Sequence, residues 1–453
     1  MIAALACAGC TVGPDYRPPE LEMPAEWQTT LAGSTTGGAA VAWWERFGDP
    51  QLAELVRRAF TANLDLDIAR ARIEEAAALR RVASADLWPR ADARLSGNAI
   101  KGHQPSLYLA GLEALWELDV FGGQRRSVEA AEADIEAAIG RQRAVAVAIA
   151  GEVARAYIEM RGLQRRSATV RKNLVAQQDT RDLTEAQLRA GLASDLDVER
   201  ARAQVASTAA ELPAIEAGIR QNSFRLGVLL GQHPAALLED LDGSDVIPAV
   251  PAEVVISVPA ELLRRRPDVL VAERELAAAT ARIGEAKADL YPRFTLTGSI
   301  GLRSEDVVDL VRGKGGLAAI GPDIVWPVFA AGRIVANVEV QNARQEQARA
   351  RYQLVVLRAL EEVENAMTRY ASEQLRRRDL AAAVDANREA AELARRLHAS
   401  GLIGFLDVLD AERSLLTAES LFVASDTAVS ANLVALYVAL GGGWEEAQRV
   451  SLQ

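Results

Sequence analysis

The chain has 453 residues, half of them hydrophobic, and its 51 basic and 62 acidic residues give a formal net charge of −11. This composition is enough to bury a core in two or three domains and excludes a disordered chain. Because phosphate backbones are bound by basic surfaces, the acidic balance argues against a nucleic-acid partner.

The N-terminus carries the only two cysteines, Cys7 and Cys10, so no disulfide can staple the fold and no cysteine cluster can hold a metal. The opening MIAALACAGC is an apolar stub with small residues before Cys10, as at the end of a bacterial lipoprotein signal. We therefore expect residues 1–9 to be the remainder of a signal, Cys10 to carry N-acyl and diacylglycerol lipid, and residues 10–42 to form a Pro-rich tether. The stub lacks a basic region, so we expect the natural signal to begin upstream. A frayed apolar terminus is the alternative.

The sequence contains no run of 18 uninterrupted apolar residues, which predicts that no helix crosses a membrane. Four segments instead alternate with period two, the pattern of strands in a sheet with one apolar face. Across 107–118 the even positions from Tyr108 to Leu118 are apolar, while the odd positions include Glu113 and Glu117. A half-buried sheet of a soluble protein would show the same alternation.

The other three alternating segments complete two hairpins, expected at about 90–120 and 292–329. One begins at Arg90 and one at Arg293, and Ile320, Ile324, Trp326 and Val328 mark the fourth.

The sequence around these strands is rich in alanine and in charged residues. It contains no proline from Ser106 to Leu212 or from Val328 to the C-terminus. The absence of proline permits very long helices. The stretch from Gln124 to Arg189 would be about 100 Å long at roughly 1.5 Å per residue. Small residues with interspersed Glu and Arg indicate close, coiled-coil-like packing with solvated outer faces.

The chain repeats itself. GLASDLDVERARAQVAS from Gly191 returns as GLIGFLDVLDAERSLLTAE from Gly401, 401 − 191 = 210 residues later, and NLDLDIARARIEEAAALRRVASADLWPR aligns without a gap on RPDVLVAERELAAATARIGEAKADLYPR. The sequence therefore predicts an internal two-fold repeat, with a first copy over 43–240, a linker over 241–265 and a second copy over 266–453. Each copy would run helix, hairpin, long helix, glycine turn, helix.

Four strands cannot close a barrel, and an open sheet edge cannot lie in lipid with its backbone N–H and C=O groups unpaired. If the strands span a membrane, several subunits must pool them, and three chains would give 12 strands. The predicted fold is thus an α+β membrane protein, in which a trimeric 12-stranded β-barrel with four strands per chain continues into a long α-helical barrel.

Several motifs together carry a family resemblance: CTVGPDYRPPE, WWERFGDPQLAELVRRAFTANLDL, SADLWPR with KADLYPR, ELDVFGGQRR, RRRPDV, IVWPVFAAGRI and GFLDVLDAERSLLTAE. Over essentially its whole length the chain resembles the TolC-like outer-membrane efflux proteins, in the lipoprotein branch that serves pumps of the resistance, nodulation and division type. The resemblance implies a homotrimer anchored in outer-membrane lipid and extending into the periplasm, with a periplasmic adaptor protein and an inner-membrane pump as partners. It implies an exit duct that passively conducts small molecules such as drugs.

The resemblance also implies a pore constriction at the start of the helix after the second glycine turn. Asp407 and Asp410 match the family's acidic constriction residues, and Leu406 matches an apolar plug residue. The family's locking tyrosine and arginine fall on His398 and Ile403, so the way the closed state is locked is open. The alternative is that the two aspartates are simply exposed on a helix face that meets water.

Other candidates are weaker. His103, His233 and His398 are scattered, which favours surface or capping roles over a metal site, and no cofactor is expected. RGKGG lacks the phosphate-loop spacing and falls between two predicted strands, which favours an extracellular turn. Tryptophans 43, 44 and 444 are expected to pack the helical body.

Two further functions remain open beside the drug duct. One is a periplasmic coiled-coil scaffold, and the other is a duct of the same fold for type I secretion or metal efflux. No nucleophile, base and acid stand at a recognisable spacing, so an enzyme is not expected.

Overall fold

The computed structural model describes residues 11–31, 34–37, 41–98, 107–242, 244–251 and 253–451. Its helices and strands follow in this order: β1 Ser34–Thr36, a 3-10 helix Trp43–Phe47, α1 Pro50–Ala62, α2 Leu64–Ala85, β2 Arg90–Asn98, β3 Leu107–Leu118, α3 Gly123–Arg189, α4 Asp195–Ala209, α5 Leu212–Leu229, a 3-10 helix Pro234–Leu237, β4 Val254–Ile256, α6 Pro259–Arg265, α7 Pro267–Ala288, β5 Arg293–Ser304, α8 Val307–Val311, β6 Gly316–Val325, α9 Arg333–Ala399, α10 Phe405–Ala439 and α11 Trp444–Ser451.

The chain divides into two compact units, each assembled from three stretches of sequence. Unit 1 contains Met1–Glu22, Ala69–Arg141 and Asp268–Val356, and unit 2 contains Met23–Ile68, Gln142–Pro267 and Leu357–Gln453. Both predicted repeats contribute to both units. The two units therefore do not correspond to the two repeats, and the repeat boundaries stay a prediction.

Unit 1 contains a four-stranded antiparallel sheet in the order β2-β3-β5-β6. Its register places Leu112 opposite Ala93 on one side and opposite Ile300 on the other, and Ile300 opposite Ala318. Residues paired across strands share a face of the sheet. The alternation within each strand therefore gives the whole sheet one apolar face and one charged face.

The apolar face carries no charged side chain on its paired positions. It is formed by Ala91, Ala93, Leu95, Tyr108, Ala110, Leu112, Ala114, Trp116, Leu118, Phe294, Leu296, Gly298, Ile300, Leu302, Ala318, Ile320, Pro322 and Ile324, with Ser304 at one end. The polar face carries the charged side chains, namely Arg90, Asp92, Arg94, Glu113, Glu117, Arg293, Arg303 and Asp323. Leu112 is 55% exposed and Ile320 80% exposed, so none of the residues that the structure describes covers the centre of the apolar face.

The fourth strand is shorter than predicted. β6 ends at Val325, so the expectation that Trp326 and Val328 belong to it was wrong. The indole N–H of Trp326 donates to the carbonyl of Leu290 at 3.2 Å, and that of Trp116 donates to the carbonyl of Leu87 at 3.0 Å. Period-two alternation continues past the strand because it records side-chain type, whereas the strand ends where backbone pairing ends.

The segment after Cys10 is bound within unit 1. The N–H of Val12 donates to the carbonyl of Phe121 at 3.0 Å, and the buried guanidinium of Arg126 donates to Asp15 at 2.7 Å. The Tyr16 hydroxyl donates to Glu273 at 3.2 Å, and burial together with this carboxylate raises the pKa of Tyr16. We call residues 11–16 the strap.

A glycine contact brings the strap close to α7. Gly13 has φ +96°, and a Cβ added there would lie 2.4 Å from the Cα of Gly284. A side chain at this position would both strain the backbone and collide with α7. The strap therefore packs closely against α7, and the tether over 10–42 stays a prediction.

Unit 2 contains the main hydrophobic core, and Trp43 is at its centre. Trp43 is fully buried, stacks on Tyr437 with ring centroids 5.6 Å apart and contacts Trp44 edge-on at 5.4 Å. Arg143 lies over the half-buried ring of Trp444 at 4.3 Å. The predicted packing role of the three tryptophans is confirmed.

The two longest helices, α3 and α9, have 67 residues each. Each ends before a glycine with positive φ, Gly191 at +75° and Gly401 at +73°, a conformation that favours glycine at a helix C-terminus. The prediction of very long proline-free helices is confirmed.

Helix α10 bears on the expectation that no helix crosses a membrane, and does not contradict it. In the part of the chain that the structure describes, α10 alone is long and apolar enough to cross a membrane by length and composition. Its apolar window is interrupted by polar residues such as Asp426, so it is not an uninterrupted apolar run. Leu433, Leu436 and Tyr437 of this helix are buried in the unit 2 core, as in core helices of soluble proteins, which meet the same criterion.

The RGKGG segment lies between β5 and β6, as predicted. It follows the short helix α8, and Gly313 and Gly315 in it have positive φ values of +74° and +88°. The prediction that this segment is a turn is confirmed, and its location outside the cell stays a prediction.

Candidate pore constriction

The predicted constriction residues lie in the first two turns of α10. Leu406 is 54% exposed, and Asp407 and Asp410 are exposed beside it. Phe405, Val408 and Leu409 of the same turns are buried. Because side chains three and four positions apart share a helix face, α10 presents Leu406 and Asp410 together, away from its own packing partners.

Asp407 also caps its helix. Its carboxylate accepts a hydrogen bond from the N–H of Gly404 at 3.1 Å, in the first turn, where a negative charge is stabilised by the helix dipole. Asp197 does the same in the first half of the chain and accepts from the N–H of Ser194 at 3.2 Å. Asp407 therefore caps its own helix, whereas Asp410 is not part of this cap.

The positions of the family's locking residues contact each other. The Nδ1–H of His398 donates to the backbone carbonyl of Ile403 at 3.1 Å, which closes the turn between α9 and α10. The ring of His398 lies 5.9 Å from that of Phe405. This contact is local to one chain, because it joins the two ends of the same glycine turn.

Sequence reasoning missed a row of buried and half-buried polar contacts between α3, α9 and α10, which we call the polar seam. Glu412, only 3% exposed, accepts from Thr180 at 3.1 Å and from Arg395 at 2.9 Å. Glu419 accepts from Asn173 at 2.7 Å and lies 3.6 Å from Arg388.

One signal for the polar seam is present in the sequence. Asn173, Gln177, Thr180 and Thr184 recur at spacings of four, three and four, the a and d positions of a heptad. Such positions are normally apolar, so a polar run at this spacing marks a buried polar contact.

The remaining predicted candidates are separate from the constriction. Cys10, the expected acylation site, and His103 lie outside the described residues. His233 caps the 3-10 helix Pro234–Leu237 by accepting from the N–H of Ala235 at 3.3 Å, which confirms a capping role.

Comparison with known proteins matches this chain to the family model described as outer membrane efflux protein, over residues 55–232 and 258–442. Nodulation protein T of Rhizobium leguminosarum bv. trifolii is 32% identical over 459 residues, which covers 99% of this chain and 98% of the relative. The probable outer membrane lipoprotein SilC of Salmonella typhimurium is 30% identical over 449 residues and is covered to 97%, as is this chain.

The structural comparison agrees. The solved structure of the outer-membrane channel OprN has a TM-score of 0.89 and 37% sequence identity, with 96% of this chain and 100% of that chain covered. These matches cover nearly the whole length of the chain. They agree with the sheet that has one uncharged face and with the long helices, and they argue against a periplasmic scaffold. This chain belongs to the outer membrane efflux protein family and is an efflux channel of the bacterial outer membrane.

Proposed function

We propose that three copies of the chain close a twelve-stranded barrel in the outer membrane, and that this barrel is the exit duct of a tripartite efflux pump. The observation that carries the proposal is the four-stranded sheet with one charge-free face and two edge strands, β2 and β6. An isolated sheet of this kind could place its apolar face against lipid, but its charged face and its unpaired edge N–H and C=O groups would meet lipid as well, which no bilayer tolerates.

The strand directions permit closure. Each of the four strands is antiparallel to its neighbour, so β2 and β6 run in opposite directions. An edge β6 can then pair with β2 of the next copy in the same antiparallel pattern, and a third copy completes the ring. The charged polar face would line the lumen and the apolar face would contact lipid.

The long helices would continue the duct towards a periplasmic adaptor protein and an inner-membrane pump. The channel acts passively, so its cargo is selected by the pump, and small molecules such as drugs fit a wide aqueous lumen. No catalytic step is assigned to the chain.

The narrowest point of the duct is assigned to Leu406, Asp407 and Asp410. Three copies of an exposed carboxylate around one axis make a negative ring, which attracts cations and repels anions. In planar bilayers, the double change Asp407→Ala and Asp410→Ala should lower the preference for cations and weaken block by multivalent cations. Leu406→Ser should raise the resting conductance, because it removes an apolar side chain from the closed point.

Asp195 provides the matched control for this experiment. It is an exposed acidic residue in the first turn of α4, the helix that corresponds to α10 in the first half of the chain. Asp195→Ala should leave ion preference and block unchanged. If the double variant matches Asp195→Ala, the constriction lies elsewhere.

We further propose that Cys10 is acylated. The strap supports this, because the Cα of Thr11 would lie 2.9 Å from a Cβ built at Gly122, between the end of β3 and the start of α3. The residue next to Cys10 is thereby held at the end of the sheet, where lipid would meet the helices.

Palmitate labelling of cells that produce the chain with its full signal should mark the protein, and Cys10→Ser should abolish the label. Cys7→Ser is the control and should be labelled like the parent, because Cys7 lies in the part removed with the signal. Equal labelling of the Cys10→Ser protein would refute acylation at this position.

A further inference from the structure

Unit 2 contains a groove to which the proposed duct assigns no role. It lies between α3, α5 and the loop that follows the 3-10 helix Pro234–Leu237, and we call it the unit 2 groove. Its volume is about 660 Å³, within the range of about 300–1,000 Å³ that is usual for ligand sites. Two of the hydroxyl side chains that line it belong to buried residues, because Ser167 is 5% exposed and Ser223 3% exposed.

One wall of the unit 2 groove is fixed by a buried arginine. Arg161 is 2% exposed and donates to the carbonyls of Leu241 and Ser244 at 3.1 and 2.9 Å. The side-chain amide of Gln164 donates to the same carbonyl of Leu241 at 2.9 Å. Because losing a partner of a buried charged group is costly, these contacts hold the loop in place. The groove is therefore formed before any ligand binds.

Charges of opposite sign line the unit 2 groove. The two helices contribute Arg171, Arg220 and one carboxylate, Glu216, whereas the loop contributes only carboxylates. Arg171 donates to Glu216 at 2.9 Å, which occupies one of the five N–H donors of its guanidinium. Arg220 and Glu239 form no ion pair and no side-chain hydrogen bond with the residues that the structure describes. The groove thus offers guanidinium donors and a carboxylate to a ligand.

This combination selects a ligand that carries both signs of charge. Guanidinium groups bind carboxylates, the carboxylate of Glu239 attracts an ammonium group, and the serine hydroxyls can exchange hydrogen bonds with peptide amides. A polyanion would be repelled by the loop and a polycation by the arginines, so neither is favoured. The chemistry fits a short peptide that has free carboxylates and a free amine.

The stem peptides of the bacterial cell wall have this chemistry, because their D-glutamate keeps a free carboxylate and their diamino acid carries a carboxylate and an amine. The inference rests on the proposed function only in that the duct places the helices in the periplasm, the compartment of the wall. Ser167 precedes Gly191 by 191 − 167 = 24 residues, about 36 Å along α3, so the groove is separate from the glycine turn of the first repeat.

We propose that the unit 2 groove binds a stem peptide of the cell wall and thereby holds the channel in the wall. The probe is the tripeptide L-alanyl-γ-D-glutamyl-meso-diaminopimelate, titrated calorimetrically into the purified full-length channel. Arg220→Ala should weaken binding about tenfold, as expected for one lost hydrogen bond between charged groups. Lys172→Ala is the matched control, because Lys172 is an exposed cation of α3 that does not line the groove. Equal affinities of these two variants, or no binding to the parent, would overturn the proposal.

A second ligand tests the role assigned to Glu239. Glu239→Gln should weaken binding of the tripeptide about fivefold, the upper end for an exposed ion pair, whereas Asp240→Asn, at the next exposed position, should not. A tripeptide that ends in 2-aminopimelate lacks the distal amine and should bind the parent and Glu239→Gln equally. If Glu239→Gln weakens both peptides alike, the groove does not recognise the amine, and the assignment to a stem peptide is wrong.

Conductance in planar bilayers separates this inference from the proposed duct. Arg220→Ala and Glu239→Gln should conduct like the parent, because neither residue is assigned to the constriction. A parent protein that forms pores but does not bind the tripeptide would refute the groove alone. A parent protein that binds the tripeptide with the expected variant pattern but forms no pores would refute the duct and leave the groove.

Discussion

Leu112→Arg should prevent the channel from assembling in the outer membrane. Leu112 lies in the middle of β3 on the apolar face, opposite Ala93 and Ile300, with no charged side chain on any neighbouring strand of that face. An arginine at the bilayer midplane of a β-barrel costs about 2–4 kcal/mol, and three copies of the chain would incur that cost together. The expected result is a loss of heat-modifiable, detergent-stable trimer in outer-membrane fractions, and Leu296→Arg should behave in the same way.

The polar face supplies the controls. Thr297 is exposed on β5 next to Gly321 of β6, and Thr295 lies two positions away on the same face. In the proposed barrel both side chains meet water in the lumen, so Thr297→Arg and Thr295→Arg should assemble normally. Equal tolerance of arginine on both faces would indicate a sheet that lies in water, contrary to the barrel.

The faces of the sheet were predictable because they follow from a rule that acts within one strand. Successive side chains point to opposite sides, so the even positions of 107–118 had to share a face whatever the partner strand was. The length of α3 was predictable for a similar reason, since proline is the main local signal that interrupts a helix.

The end of β6 and the polar seam were not predictable in this way. β6 stops at Val325 because Val325 pairs with Arg293, the first residue of β5, so that no partner strand remains for Trp326. Glu412 meets Thr180, which lies 232 positions away in the chain. Contacts at such separation depend on how the helices are packed, and a single sequence records only that polar residues recur at seam positions.

The sequence located the constriction residues only through the family resemblance. Nothing in the spacing of Leu406 and Asp410 distinguishes a pore-lining face from an ordinary solvated face. The structure adds that this face of α10 is left uncovered while Phe405, Val408 and Leu409 are buried, and that Asp407 is shared with helix capping.

Trp43→Ala should produce the largest loss of stability in unit 2. The side chain is fully buried, stacks on Tyr437 and donates its indole N–H to the carbonyl of Gly442 at 3.3 Å. Replacing a buried tryptophan with alanine costs about 3–5 kcal/mol, because both the transferred apolar surface and the remaining cavity count against the folded state. Trp43 joins a segment before α1 to the end of α10, two parts of the chain far apart in sequence, so its loss should loosen both.

The measurement is unfolding of the purified channel in urea, followed by circular dichroism, with two comparison variants. Trp43→Phe keeps the stacking on Tyr437 but loses the hydrogen bond to Gly442, and should lie between the parent and Trp43→Ala. Trp88→Ala removes a tryptophan that is 72% exposed in this chain and should leave the unfolding of unit 2 unchanged. If Trp43→Ala unfolds at the same urea concentration as Trp88→Ala, the aromatic cluster around Trp43 contributes little to the stability of unit 2, and the link between the two ends of the chain is made elsewhere in the core.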